Sequence, residues 1–395
     1  MGCLSNIKKL YCVTLFHSLI PAYVIERLFW RQRGMSVQMV VYTEIIYALT
    51  VTSSEIPTGI LADRFGRKKM LTICGALSAA ELILLLFARS FWQFAAAVFL
   101  SGIGKALSSG SDKALLYDSL CCAGMKKSFE KILGRLTAVD LAGSMTAALC
   151  GSVLANFFPY ELNYILSVLS MCTAFAVTLT LREPPIPAKP ENGAAGVKLY
   201  AGQALGVFRS QPLVLLYCLT GAVLGACLIY LDEFWQIALE NIGVPVFFFG
   251  VVSALLLTIR IPGSVFAYRL KEKFGYNSIL TCIIGVSAAG YAAVFMARNA
   301  FCLVPMAVIF LAAGVMDPLI AGYLHHRADS RIRATAESFS SLGLRAASAG
   351  VGLLFGYLSA EYSVFAGFLA LGAVCLAYLV LFGLARRIFT RRREK

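Results

Sequence analysis

Long apolar runs, each broken by a short cluster of charged and turn-forming residues, dominate the chain. A membrane-spanning helix needs about 20 mainly apolar residues. Cutting at the polar clusters leaves twelve such runs, near residues 10–30, 38–62, 70–88, 92–118, 134–157, 161–181, 212–237, 245–268, 277–297, 301–325, 335–358 and 362–385. The pattern predicts an all-α membrane protein with twelve transmembrane helices. The longest break, 182–206, carries Pro184, Pro185, Pro187 and Pro190 followed by Gly193 and Gly196, and cannot continue a helix. It divides six spans from six, giving an N-terminal bundle (1–181), a cytosolic linker (182–206) and a C-terminal bundle with a basic cytosolic tail (207–395).

Composition agrees with lipid as the solvent. Hydrophobic residues make up 59% and charged residues only 14%, against about 25% charged in soluble domains; the mean hydropathy is +0.77. Too few polar side chains exist to cover a hydrated surface, which excludes a soluble enzyme, a disordered chain and a nucleic-acid binder. The net charge of +14 is explained by placement. With both termini set in the cytosol, most of the 35 Lys and Arg residues fall on cytosolic loops and tails, while the opposite loops hold only Arg31, Arg33, Arg89 and Arg298. Lys8 and Lys9 precede an apolar stretch in the manner of a signal peptide, but no small-residue cleavage site follows, so the stretch is kept as the first span. The 12 cysteines show no CxxC and no regular spacing and read as apolar packing residues, with Cys121 and Cys122 as reduced thiols in a basic loop. Short loops without a glycosylation sequon point to a bacterial inner membrane.

One loop carries a motif. Gly59, Asp63, Arg64, Gly66, Arg67 and Lys68 connect the second and third spans, and Gly263 to Gly275 forms a weaker copy between the eighth and ninth. The first loop resembles the cytosolic signature of the major facilitator superfamily, and with Glu55-Ile-Pro-Thr58 before it the chain is most similar to small multidrug-efflux-type, drug:proton antiporter-like members. The resemblance implies two six-helix bundles, with the halves related as a parallel repeat, and transport by alternating access. Gly59 is expected to allow close helix approach and Gly66 a tight turn. Arg67 has a candidate partner in Asp118, and the resemblance places Asp63 against a helix start near Thr335. Together with Glu55 these residues form the expected cytosolic gate; a turn with a positive-inside anchor is the plainer reading. Two family signatures are absent: the fifth span, Asp140 to Gly151, holds no proline, and the fourth has Lys105 where an Arg and Gln are usual.

An ionisable group inside a span costs about 2.5–3.5 kcal/mol at the centre, so it normally faces a cavity or a partner. A carboxylate in such a place can load and release a proton near neutral pH. The resemblance implies that spans one, four, seven and ten line a central cavity. Glu26 and Asp317 are the first candidates for proton or ion coupling, followed by Asp232, Glu233 and Asp140. Tyr23, Arg27, Trp30, Lys105, Trp235, Arg260 and Arg345 are candidates for a substrate cavity. Asp140, Arg260 and Arg345 equally suit structural ion pairs, and the aromatic residues equally suit an interfacial belt. Glu81 has no assigned role, and His325-His326 reads as a solvated face. No Walker motif is present, so an ion gradient is the expected energy source; no cofactor, metal or enzymatic activity is expected. The expectation is a monomeric secondary transporter exporting a small amphipathic compound in exchange for protons. Uptake or facilitated passage of a metabolite, or a transport-dead receptor or lipid scramblase, are the alternatives.

Overall fold

The computed structural model describes residues 2–184, 212–327 and 333–391, without the side chains of 2–4, 56, 63, 325–327, 333–339 and 389–391. Most of the expected linker, the side chains of Asp63, Thr335, His325 and His326, and the end of the tail lie outside the described residues. Everything regular within them is helical. The chain divides into two compact units, Met1–Lys189 with Pro245–Ala254, and Pro190–Val244 with Leu255–Lys395. The short piece 245–254 belongs to the first unit because Gly250 lies on Ala148 to Ser152; a Cβ there would stand 2.7 Å from Leu149 Cα.

The first unit contains α1 (Gly2–Ser18), α2 (Glu26–Gln32), α3 (Val37–Phe65), α4 (Arg67–Phe87), α5 (Phe91–Ser108), α6 (Ser111–Cys122), α7 (Phe129–Phe157) and α8 (Tyr160–Leu179). The first expected span is therefore not one helix. Pro21 opens a 3-10 stretch, Pro21–Ile25, between α1 and α2. A broken helix at membrane depth must satisfy its freed backbone groups inside the protein, and α8 supplies the partners. Asn163 donates to Pro21 O (3.2 Å) and Gly151 O (2.9 Å), and Ala22 N donates to Ser167 Oγ (3.0 Å). Gly151 is required, since a Cβ would stand 2.5 Å from Pro21 O. Gly110, at φ +78°, similarly divides the fourth span into α5 and α6.

The second unit contains α9 (Pro212–Asn241), α10 (Phe249–Met296, from Leu255 onward), α11 (Leu303–Arg327), α12 (Arg333–Glu361) and α13 (Val364–Arg391). α10 runs for 48 residues and holds the eighth and ninth expected spans, broken at Gly275 (φ 68°, ψ 160°). Among the described residues nine helices are long and apolar enough to cross a membrane. That is fewer than the twelve expected, partly because α10 carries two spans and Lys105 and the Gly110 break shorten the fourth.

Cys122 is disulfide-bonded, whereas Cys121 is free. This corrects the reading of both as reduced thiols. Spacing along the chain does not reveal which cysteines approach in space, and α6 folds back on α1, where Asn6 donates to Ser119 Oγ (3.0 Å) beside Leu10, Leu115 and Leu120.

Candidate functional site

In the first unit the charged residues gather around the break in the first span. Ser18, at the end of α1, donates to Asp140 on α7. His17, beside it, lies within electrostatic reach of both Asp140 and Lys105 on α5. The sequence offered no reason to select His17, since a lone histidine near an apolar run is usually a packing residue. Beyond the break Glu26 opens α2 and lies within electrostatic reach of Glu81 on α4, which stands beside Ser101 of α5. Glu81, without a role in the sequence reading, thus faces the same set of helices as the residues selected. Its neighbour across the packing could not be read from position on an apolar helix.

Several expected cavity residues are packed into the interior. Arg27 pairs with Glu44 at 2.8 Å, with side chains only 4% and 18% exposed, and its guanidinium lies 4.5 Å from the Trp30 ring. In place of the expected cavity wall, Trp30 is enclosed: its ring packs at 4.9 Å on Phe94 and its Nε1 donates to Tyr164 Oη at 3.1 Å. Trp235 is also buried, beside a stack in which Tyr230 lies 5.4 Å from Phe355 and donates to Ser348 O at 2.8 Å. Trp30 and Tyr230 enter the packed interior because their polar edges find partners there. Tyr23 remains exposed.

The second unit holds a different constellation. Arg260 on α10 pairs with Asp317 on α11 at 2.8 Å, and Asp232 on α9 lies within electrostatic reach of Arg260 and of Glu233. The approach of α10 to α11 depends on two glycines. A Cβ at Gly263 would stand 2.5 Å from Leu311 O, and one at Gly314 would stand 2.9 Å from Arg260 Cα. Pro318 cannot donate to the carbonyl four residues before it; that carbonyl, Gly314 O, instead accepts from Ser264 Oγ at 3.0 Å. Arg345 on α12 is half-buried, and its carbonyl accepts from Ser348 Oγ.

The loop motif is built within the first unit. Gly66, at φ 93°, ends α3 and starts α4. Arg67 pairs with Asp118 and also donates to Ala114 O at 3.2 Å. The sequence reading missed Glu183, whose carboxylate accepts from Arg67 N and Lys68 N, each at 2.8 Å, at the positive start of α4. Arg64 is exposed over Phe65, and Glu55 is half-buried one turn before Gly59. Gly59 is expected to allow a close helix approach. Among the described residues nothing stands within 4 Å of where its Cβ would be; the close crossings fall at Gly102, Gly151, Gly263 and Gly314.

A multi-pass helical membrane protein with charged side chains gathered inside each half is the class these features define. The Major Facilitator Superfamily profile matches residues 11–336, and the chain belongs to that family of membrane transporters, which are not enzymes. No curated protein sequence matches it. Its fold is similar to that of the nucleoside transporter NupG (TM-score 0.74, 14% identity, covering 98% of this chain and 99% of that one). It is also similar to a D-xylose–proton symporter (0.72, 13%, 97% of each chain) and to a bacterial homolog of the human lysosomal transporter Spinster (0.73, 16%, 98% and 97%). At these identities the likeness is one of fold.

Proposed function

We propose that this chain is a proton-coupled secondary transporter that works by alternating access and exports a small amphipathic compound. The observation that carries the reading is the convergence of His17, Lys105 and Asp140 from three helices of the first unit. Ionisable groups in lipid-spanning helices are retained at a cost, and mark substrate or proton pathways. Glu26 with Glu81, and Asp317 with Arg260, Asp232 and Glu233, supply further groups that exchange a proton or engage a charged cargo. The loop from Gly59 to Lys69 serves as the cytosolic gate element in this reading. The protein is a monomer of twelve spans in two six-helix bundles, with both termini in the cytosol of a bacterial inner membrane.

The test is driven transport in proteoliposomes of the full chain under an imposed pH difference, with ethidium as the amphipathic probe. Accumulation against the gradient is expected, falling at least tenfold in Asp140→Asn while the unfolding temperature is kept. Full driven accumulation by Asp140→Asn overturns the coupling role of this cluster. A second reading, uptake of a polar metabolite, is favoured by the nucleoside and xylose carriers among the structural relatives; driven movement of xylose or a nucleoside, with none of ethidium, selects it.

A further inference from the structure

The two loop copies, each considered within its own unit, end differently. In the first, Phe65-Gly66 turns the backbone at φ 93°, ψ 153°, and the carboxylate of Glu183 occupies the start of the following helix. In the second, Phe274-Gly275 turns it at φ 68°, ψ 160°. Here the start of the following segment opens on a cavity of about 390 Å³. Its walls include Tyr217, Tyr276, Tyr323 and Arg386. Tyr323 packs edge-on against Tyr217 and Tyr276, with ring centroids 4.4 and 4.9 Å apart, and Tyr217 donates to Asn277 Oδ1 at 2.6 Å. These bonds fix the walls. Lys271 stands over the Tyr276 ring at 5.0 Å, and Arg269, Lys273 and Arg387 lie close along the chain to the residues at the rim. Glu272 is the one acid in that stretch of sequence and is not a wall residue.

We propose that this cavity binds the phosphate of an anionic phospholipid headgroup, in the position where the first copy uses its own carboxylate. A guanidinium matches phosphate oxygens in geometry and charge. Phenolic walls with an apolar body and polar edge suit the boundary between headgroup and acyl chain. Arg386 and Arg387 are the last charged residues of the candidate span Val364–Ile388, so the cavity falls near one end of that span, where a headgroup would lie. Basic pockets between membrane helices on the cytosolic side are suited to such headgroups. The site is separate from the charged clusters assigned to transport, so it stands whatever the cargo.

Native mass spectrometry of the full chain, titrated with phosphatidylglycerol or with phosphatidylcholine, tests the assignment. One phosphatidylglycerol is expected to be retained at least tenfold more tightly than phosphatidylcholine. Arg386→Ala is expected to lose that preference, and Arg387→Ala, with the same change in net charge, to keep it within twofold. Lys271→Ala gives an intermediate loss and serves if Arg386→Ala fails to fold. Equal retention of the two lipids, equal loss in the Arg386 and Arg387 variants, or displacement by millimolar inorganic phosphate overturns the lipid site; the last result assigns the cavity to free phosphate.

Discussion

Two ion pairs in this protein share the same 2.8 Å separation but occupy different surroundings, and they should respond oppositely to neutralisation. Arg27–Glu44 is almost enclosed, at 4% and 18% side-chain exposure, while Arg260–Asp317 stands open at 38% and 53%. Glu44→Gln breaks a buried ion pair on one side, a change that costs about 3–5 kcal/mol. Asp317→Asn removes a pair that, in the proposed transport path, meets water on both sides, and water-exposed pairs contribute only about 0–1 kcal/mol. For a unit of roughly 200 residues, 1 kcal/mol moves the unfolding temperature by about 2–4 °C. Thermal unfolding in detergent should therefore fall by about 6–20 °C for Glu44→Gln and by no more than about 4 °C for Asp317→Asn. Driven transport in proteoliposomes should show the reverse emphasis: Asp317→Asn is expected to lose at least tenfold while remaining folded. An Asp317→Asn protein that melts as early as Glu44→Gln would show that the open pair is a structural clasp, and would remove Asp317 from the transport reading.

Two substitutions test the backbone reading. Gly314→Ala forces a Cβ against the backbone of Arg260, and neither helix backbone can rotate away as a side chain can. Overpacking of this kind costs about 1–3 kcal/mol, so a lower unfolding temperature and weaker transport are expected, with wild-type behaviour in both refuting the tight crossing. Gly66→Ala puts a side chain at φ 93°, ψ 153°, and 2.8 Å from the Glu183 carboxyl carbon. Backbone strain in such a region costs about 1–3 kcal/mol. Adding Glu183→Ala removes the clash but not the strain, so the double variant should not recover the wild-type unfolding temperature; full recovery would place the whole cost in the side-chain clash.

The helical class and the family were legible because they are written in local order: apolar runs of spanning length, a proline-rich break between halves, and one motif filled at every position. Arg67 and Asp118 could be paired in advance because a charged loop residue has few possible partners at one membrane face. Glu183 could not, since its role depends on where the end of α8 returns relative to the turn at Gly66. His17 and Glu81 escaped selection, or a role, for a related reason. A polar residue on an apolar helix announces a cost, but only the packing of α1, α4, α5 and α7 decides which neighbour offsets it. Trp30 and Trp235 failed in the other direction. Composition places aromatic rings at boundaries, whereas Tyr164 Oη drew Trp30 into the interior by giving its Nε1 an acceptor. At Gly59 no described residue makes the expected close approach, since small size permits contact without requiring it.

Each half places charges beside a point where a proline relieves the helix bonding: a break in the first unit, and Pro318 within the continuous α11 in the second. In the first unit the Pro21–Ile25 break separates His17 and Ser18 from Glu26, and its backbone groups are held by Asn163 and Ser167 of α8. In the second, Pro318 follows Asp317 directly, and the carbonyl it releases is held by Ser264 from α10. An unbroken helix would have bonded those carbonyls to its own amides and left the helix no local freedom. Side-chain partners replace backbone bonds at individual net strengths of roughly 0.6 kcal/mol in membrane bundles, so each break is stable at rest yet can be rearranged at small cost. Discontinuous helices also expose backbone dipole ends beside a charged cargo or proton. Under the proposed transport reading, the proline supplies a soft point, the neighbouring helix secures it, and the titratable group lies where a small change in helix direction alters its surroundings.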